Sequence, residues 1–190
     1  MIGHAGHPEV VGTMGQLPPG QMTLVQDATE AEAVVPPAGD LAFITQTTLS
    51  VDDTADIVAI LRRRFPRISG PKREDICYAT TNRQAAVKAI AREADLMVVI
   101  GSPNSSNSQR LREVAERSGA QRAILLPTPA ALDWSVLEGV RVLGISAGAS
   151  APESLVEELL KKLRNHYRLE VRERRVVEED VVFRLPPPLA

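Results

Sequence analysis

The only cysteine of this chain, Cys77, lies in the stretch DICYATTNRQ, just before a segment with helical character. A lone cysteine forms no disulfide within its own chain, so three roles stay open: a small buried residue, a nucleophile or one ligand of a metal centre. Thiols at helix N-termini favour the thiolate, which is the form that attacks and that binds metal. A nucleophile would also need a base. His7 is the only candidate for one, and no known nucleophile motif surrounds Cys77.

Three loops rich in hydroxyl, amide and glycine residues each follow an apolar run and lead into a helical segment. They are TQTTLS at 45–50, GSPNSSNS at 101–108 and SAGASAP at 146–152. Helix N–H groups together with such side chains bind anions, so three loops of this kind favour a phosphate or diphosphate site. Ordinary N-capping explains any one loop better when it is taken alone. The sequence has no Walker lysine and no GxGxxG pattern, which disfavours ATP and dinucleotides.

The N-terminal stretch GHAGHPEVVGTMGQ, residues 3–16, places His7 and Glu9 close enough to act on one ligand. A histidine can contact a phosphate, and a glutamate can transfer a proton. A glycine-rich surface loop with incidental polar residues explains this stretch equally well. His4 is interpreted as structural or solvated, and so is His166 in its charged surroundings.

Alternating apolar runs and amphipathic segments predict the elements that position these residues. The runs at 22–26, 41–47, 96–100, 123–127 and 140–146 are typical of buried strands. The segments SVDDTADIVAILRRRF, TNRQAAVKAIARE, NSQRLREVAERSG and APESLVEELLKKL carry apolar residues on one face and predict helices. Capping boxes are expected at Ser50 with Asp53 and at Ser150 with Glu153. This order predicts an α/β protein with parallel sheets and right-handed crossovers.

The segment RISGPKRED, residues 67–75, combines glycine, proline and charge and predicts a boundary between two α/β units. We expect one unit at 1–73, which opens on half a strand, and a second at 74–165. In the tail at 166–190, valines alternate with charges, which predicts one or two edge strands.

Composition limits the classes of function. With 44% hydrophobic and 3% aromatic residues, the core must consist of aliphatic side chains, which suits helices packed on parallel strands. A net charge of -2 provides no basic field for nucleic acid. No apolar run approaches the roughly 20 residues that span a membrane. One cysteine and the absence of an export-signal pattern lead us to expect a cytoplasmic protein.

Five stretches together resemble the 4-hydroxy-3-methylbut-2-enyl diphosphate reductase family. In order through most of residues 2–164, they are GHAGHPEVVGTMGQ, FITQTTLSVDDT, DICYATTNRQAAVKAI, VVIGSPNSSNSQRLREVA and GISAGASAPESLVEE. The resemblance implies a three-lobed α/β fold around a [4Fe–4S] cluster held by three cysteines. It also implies that two electrons and protons remove the substrate hydroxyl as water, giving isopentenyl and dimethylallyl diphosphates.

The resemblance assigns roles to particular residues. It implies that Cys77 is one cluster ligand, that Glu9 feeds protons to the substrate, and that Thr47 lies beside the substrate hydroxyl in the same relay. The diphosphate ligands that it implies are His7, Ser105, Ser106, Asn107 and Ser150. The expected partners are a small diphosphate substrate and an electron donor such as ferredoxin or flavodoxin, without nucleic acid or membrane.

The chain departs from the family in length and in cysteine content. The resemblance makes 1–73 the second lobe, incomplete at its N-terminus, and 74–165 the third, with the first lobe absent. Two of the three cysteine ligands are absent with it, and one thiolate cannot hold a [4Fe–4S] cluster. Two hypotheses follow: part of an active reductase that other residues complete, or a non-catalytic remnant that binds diphosphate only. A cysteine-nucleophile hydrolase is the least favoured hypothesis.

Overall fold

Helices dominate the first half of the chain, and strands alternate with helices in the second. The computed structural model describes residues 1–72 and 74–178. The first half contains α1 Pro8–Met14, α2 Ala28–Ala33 and α3 Val51–Arg64. The second half contains α4 Tyr78–Ala91, β1 Leu96–Ile100, α5 Ser106–Arg117, β2 Arg122–Leu126, β3 Leu143–Ala147 and α6 Glu153–His166. Two short 3-10 helices, Pro129–Ala131 and Trp134–Leu137, connect β2 to β3.

The three strands form a parallel sheet in the order β2–β1–β3. Leu96 lies opposite Leu143 and Ile100 lies opposite Ala147, so β1 and β3 end side by side. All five residues of β1 are buried, because helices cover both faces of the sheet. The sheet confirms the predicted α/β class and brings the loops after β1 and β3 together.

Aliphatic side chains build both layers of this core. On one face of the sheet, Val87 of α4 and Leu111 of α5 belong to the same apolar cluster as Met97 and Val99 of β1. On the other face, Leu159 of α6 and Leu137 of the second 3-10 helix belong to the same apolar cluster as Val98 of β1 and Leu126 of β2. Fully burying one such side chain contributes about 1.5–3 kcal/mol, so the sheet is a firm support for the loops at its end.

Residues 1–72 contain single parallel bridges instead of the extended strands predicted at 22–26 and 41–47. Ile2 bridges to both Val25 and Thr45, and Ala42 bridges to Ser69. Those two strand predictions are wrong in extent, because each run pairs only at these isolated positions and the backbone that follows Ile2 turns at Gly6, where φ is 77°. A separate apolar cluster that includes Ile2, Phe43 and Leu61 supports this region.

Other differences from the sequence predictions concern helix starts and the tail. Helices α1 and α2 were not predicted. Helix α6 begins after Pro152, which is extended at ψ 138°, so Ser150 lies outside the helix and the predicted Ser150–Glu153 capping box is wrong. Ser50 does cap α3 by accepting a bond from the N–H of Asp53.

Residues 168–178 form no strand and are exposed, so the edge strands predicted there are wrong. The rest of the predicted edge strands, at 179–190, lies outside the described residues. The limits 1–73, 74–165 and 166–190 stay a prediction. Within the described part of the chain, no helix is long and apolar enough to cross a bilayer.

Gly144 provides a test of how tightly the sheet and α4 pack. A Cβ there would collide with Met97 and come within 2.7 Å of Ile90 Cγ2, so we expect Gly144→Ala to lower the free energy of unfolding by about 1–3 kcal/mol. In Gly12→Ala, the new methyl group meets nothing within 4 Å and lies in α1, so stability should stay level or rise by about 0.5–1 kcal/mol. Urea unfolding followed by circular dichroism measures both. Equal stabilities of the two variants would contradict the close packing of Gly144 against Met97 and Ile90.

Candidate functional site

The loops after β1 and β3 meet through a backbone bond and a shared serine. Gly148 N–H donates to Ile100 C=O at 2.8 Å. Ser108, only 1% exposed, lies between Gly101 and Gly148, and neither position has room for a Cβ. Both glycines therefore let two backbone loops approach the first turn of α5.

The first residues of α5 present hydroxyl and amide groups. Ser105 caps the helix, and its Oγ accepts bonds from Ser108 N–H at 3.3 Å and from Ser108 Oγ at 3.1 Å. Asn107 is 8% exposed, and its Oδ1 and Nδ2 are both buried without a hydrogen-bond partner. Buried polar groups are nearly always paired in proteins, so this unsatisfied amide at a helix N-terminus indicates a place where a polar ligand binds.

Glu9 and Thr47 form a two-point contact. Thr47 N–H donates to Glu9 Oε1 at 3.0 Å, and Thr47 Oγ1 lies 3.0 Å from Glu9 Oε2. His7 caps α1, with its Nδ1 accepting a bond from Glu9 N–H at 3.3 Å. A carboxylate paired with a hydroxyl in this way can hold a proton and pass it on.

Cys77 belongs to the same unit. Its N–H donates to Thr47 C=O at 3.0 Å, so Cys77, Thr47 and Glu9 follow one another through direct contacts. Cys77 is the N-cap of α4, which starts at Tyr78, slightly earlier than the start near Thr80 or Thr81 that the sequence predicts. Because Cys77 is exposed, the interpretation as a buried apolar residue is wrong.

A metal centre would need more ligands than the described residues provide. In ranges 1–72 and 74–178, no group of three or more His, Cys, Asp and Glu side chains is placed to hold a metal ion. An iron–sulfur cluster is held by several thiolates, and Cys77 is the only cysteine in the sequence. The residues of this chain therefore do not by themselves fit a [4Fe–4S] cluster, although Cys77 is accessible to one.

Gln46 was not recognised from the sequence, yet it connects three loops. It is 0% exposed, and its Oε1 accepts a bond from His4 N–H at 3.0 Å. Its Nε2 donates to Thr48 Oγ1 at 2.9 Å and to Ser106 Oγ at 3.3 Å. Thr48 and Ser106 are themselves 3.0 Å apart between their hydroxyl oxygens. Only its place at the end of an apolar run could have indicated burial, and nothing there indicated its partners.

Helix α4 also holds loops of the site. Gln84 Nε2 donates to Leu49 C=O at 2.8 Å, and its Oε1 accepts a bond from Val51 N–H at 3.0 Å. Arg83 Nη1 donates to Ala147 C=O at 3.0 Å, at the end of β3. The predicted ligand Ser150 is exposed in the loop that begins there, next to the loop at 101–108.

Two cavities lie near these loops. One of about 360 Å³ is lined by polar and charged residues that include His4, Asp53, Thr54 and Arg110. The other, of about 290 Å³, is largely apolar and lies beside Met1. Neither is lined by Cys77 or Asn107.

Comparisons with known proteins agree on one family. The profile of the family described as LytB protein matches residues 1–164. The whole chain is 73% identical to the 4-hydroxy-3-methylbut-2-enyl diphosphate reductase of Gluconobacter oxydans and covers 57% of it. It is 58% identical over 98% of its length to reductase 2 of that name from Rhodopseudomonas palustris, again covering 58% of the relative.

A solved structure matches as well. It is the E-1-hydroxy-2-methyl-but-2-enyl-4-diphosphate reductase from Plasmodium falciparum, with a TM-score of 0.89 and 34% identity over 99% of this chain. The chain covers 59% of that structure. It thus spans a little under three fifths of the relatives that it matches.

The role of Gln46 can be tested by its stability contribution. Gln46→Leu leaves the His4 N–H without its acceptor and removes the amide donor from the Thr48 and Ser106 hydroxyls, so we expect the free energy of unfolding to fall by about 2 kcal/mol. Gln109→Leu removes only an exposed bond to Pro103 C=O and should change it by less than about 0.5 kcal/mol. Chemical denaturation compares the two. Equal losses would show that Gln46 does not link the loops.

Proposed function

The chain belongs to the LytB protein family, and we propose that it forms the substrate-holding part of a 4-hydroxy-3-methylbut-2-enyl diphosphate reductase. This oxidoreductase reaction consumes two electrons and two protons, releases the substrate hydroxyl as water and yields isopentenyl or dimethylallyl diphosphate for isoprenoid biosynthesis. In this proposal, residues 1–73 and 74–165 are the second and third lobes of the family fold. The protein acts in the cytoplasm.

The unsatisfied amide of Asn107 carries the proposal for diphosphate binding. An anion at the start of α5 would meet Asn107 Nδ2, the hydroxyls of Ser105 and Ser106, and the free N–H groups of the helix. In this proposal, Ser150 of the neighbouring loop and His7 at the start of α1 complete the set of ligands. These neutral donors can stabilise the charge that is delocalised over the oxygens of a diphosphate, without a salt bridge that would bind it too tightly.

In this proposal, Glu9 and Thr47 supply protons to the substrate. Glu9 Oε2 lies 3.0 Å from Thr47 Oγ1, which donates to it. When Glu9 is protonated, it can donate to Thr47 Oγ1 in turn, and this hydroxyl can pass its own proton to a substrate hydroxyl beside it. The second contact, from Thr47 N–H to Glu9 Oε1, fixes the carboxylate so that Oε2 keeps this direction.

Cys77 is proposed as one thiolate ligand of a [4Fe–4S] cluster, which would supply the electrons that it receives from a donor such as ferredoxin or flavodoxin. The remaining thiolates must come from residues outside this sequence, since it has no second cysteine. The second candidate function is diphosphate binding without catalysis. The single cysteine of this sequence favours it, since an iron–sulfur cluster is held by several thiolates.

Asn107→Ala tests the anion site. Because the variant removes the two unpaired amide atoms, we expect the affinity for inorganic diphosphate to fall about tenfold, which is about 1.4 kcal/mol. Asn104→Ala is the matched control, an exposed asparagine of the same loop, and should bind as the parent chain does. Isothermal titration calorimetry measures both. Equal affinities for the two variants would place the diphosphate elsewhere.

The ligand role of Cys77 is tested by anaerobic cluster reconstitution. We expect no cluster on the chain alone. Mixed with a polypeptide that covers the remainder of the Gluconobacter relative, it should show thiolate-to-iron absorbance, about four irons per complex and reductase activity. Cys77→Ser should lose all three.

Two results would change this conclusion. A stable cluster on the chain alone would contradict the single-ligand role. A mixture that binds diphosphate but never iron would favour the non-catalytic function.

A further inference from the structure

His4, for which the sequence predicted no chemical role, is held both by its backbone N–H and by its imidazole ring. Its N–H donates to Gln46 Oε1 at 3.0 Å, and its Nε2 lies 2.7 Å from Arg110 Nη2. The ring thus spans from the N-terminal loop to the middle of α5. His7 and Glu9 follow three and five residues later, so the position of His4 decides where this loop presents them.

Arg110 is itself fixed by two carboxylates. Its side chain is 13% exposed, and Nη1 lies 2.5 Å from Glu113 Oε2 and 3.6 Å from Asp53 Oδ2. Asp53, in the first turn of α3, also receives two bonds from Arg117 at 2.6 and 2.8 Å. One planar guanidinium therefore contacts the N-terminal loop, α3 and α5 together. Since both terminal nitrogens are engaged, Arg110 is poorly placed to bind the diphosphate directly.

The contact requires His4 to be neutral. A guanidinium has no acceptor, so Nε2 must accept the bond and the ring proton must lie on Nδ1. Burial and the charge of Arg110 lower the pKa of His4, with a smaller lowering by His7, while Glu113 and Asp53 act in the opposite direction. The other charged groups around the same cavity are Asp27, Asp56 and Arg117.

We infer that Arg110 is a positioning residue that, through His4, fixes the loop carrying His7 and Glu9 against the helix whose first turn binds the diphosphate. The link to diphosphate rests on the proposed function, whereas the fixing of the loop does not. Arg110 acts through His4 and Gln46, so its loss displaces the loop without removing any group that contacts the substrate.

The test compares Arg110→Met with Arg112→Met in the full 190-residue chain. Arg112 lies on the same helix, is 33% exposed and pairs only with Glu116 among the contacts that the structure gives it. We expect the NMR amide signals of Gly6, His7 and Glu9 to shift or broaden in Arg110→Met and to stay in place in Arg112→Met. Loop signals of Arg110→Met that superimpose on those of the parent chain would overturn the inference.

A second variant decides the question if Arg110→Met fails to fold. His4→Gln keeps an acceptor oxygen but cannot gain a proton. In the parent chain, the loop signals should change as pH falls below about 6.5, because protonated His4 can no longer accept from Arg110. In His4→Gln that transition should vanish. The same transition in both chains would overturn the inference.

Inorganic diphosphate separates this inference from the proposed function. Its affinity should fall about fivefold in Arg110→Met and stay unchanged in Arg112→Met. If no chain binds diphosphate, the proposed function fails, and the loop signals still decide the positioning role. If the loop is displaced but the affinity is unchanged, the link between Arg110 and the anion site is wrong.

Discussion

The buried side-chain amide of Gln46 lies between the N-terminal loop, the loop at 45–50 and the start of α5. Its oxygen accepts from His4, and its nitrogen donates to Thr48 and Ser106. Inside a protein, such bonds are strong and unpaired groups are costly, so these loops have little freedom to separate. The contact between Glu9 and Thr47 depends on this restricted freedom of the loops. Thr47 directly follows Gln46, and Glu9 follows the loop that Gln46 holds.

A second buried amide, that of Asn107, has the opposite character. It is 8% exposed, yet its two polar atoms have no partner. The fold pairs the amide of Gln46 on both sides and leaves that of Asn107 unpaired, although both side chains are buried. The three hydrogen bonds of Gln46 account for its burial, whereas no hydrogen bond does so for Asn107, and this difference motivates the proposal that a ligand pairs its amide.

Local signals in the sequence were reliable for the central sheet and less so for residues 1–72, and long-range contacts could not be predicted at all. Strand β1 was predicted at its observed bounds because a run of five consecutive apolar residues is typical of a parallel strand covered on both faces. Family motifs indicated Glu9, Thr47 and Cys77, and the structure brings these three together. Sequence reasoning missed Gln46 because its partners lie 42 and 60 residues away. It assigned His4 no chemistry because its partner Arg110 lies 106 residues away.

Cys77 shows how local structure can exclude explanations that composition leaves open. A buried apolar role fails because the residue is exposed. A capping role fails too, since a thiol is a weak acceptor, and no side-chain bond caps α4, where Ser, Thr, Asp or Asn would stabilise the helix by about 1 kcal/mol more. The residue therefore contributes little to the fold at this position. Its backbone is nevertheless tied to Thr47, which places a thiol beside the proposed proton relay and favours a ligand role completed by other residues.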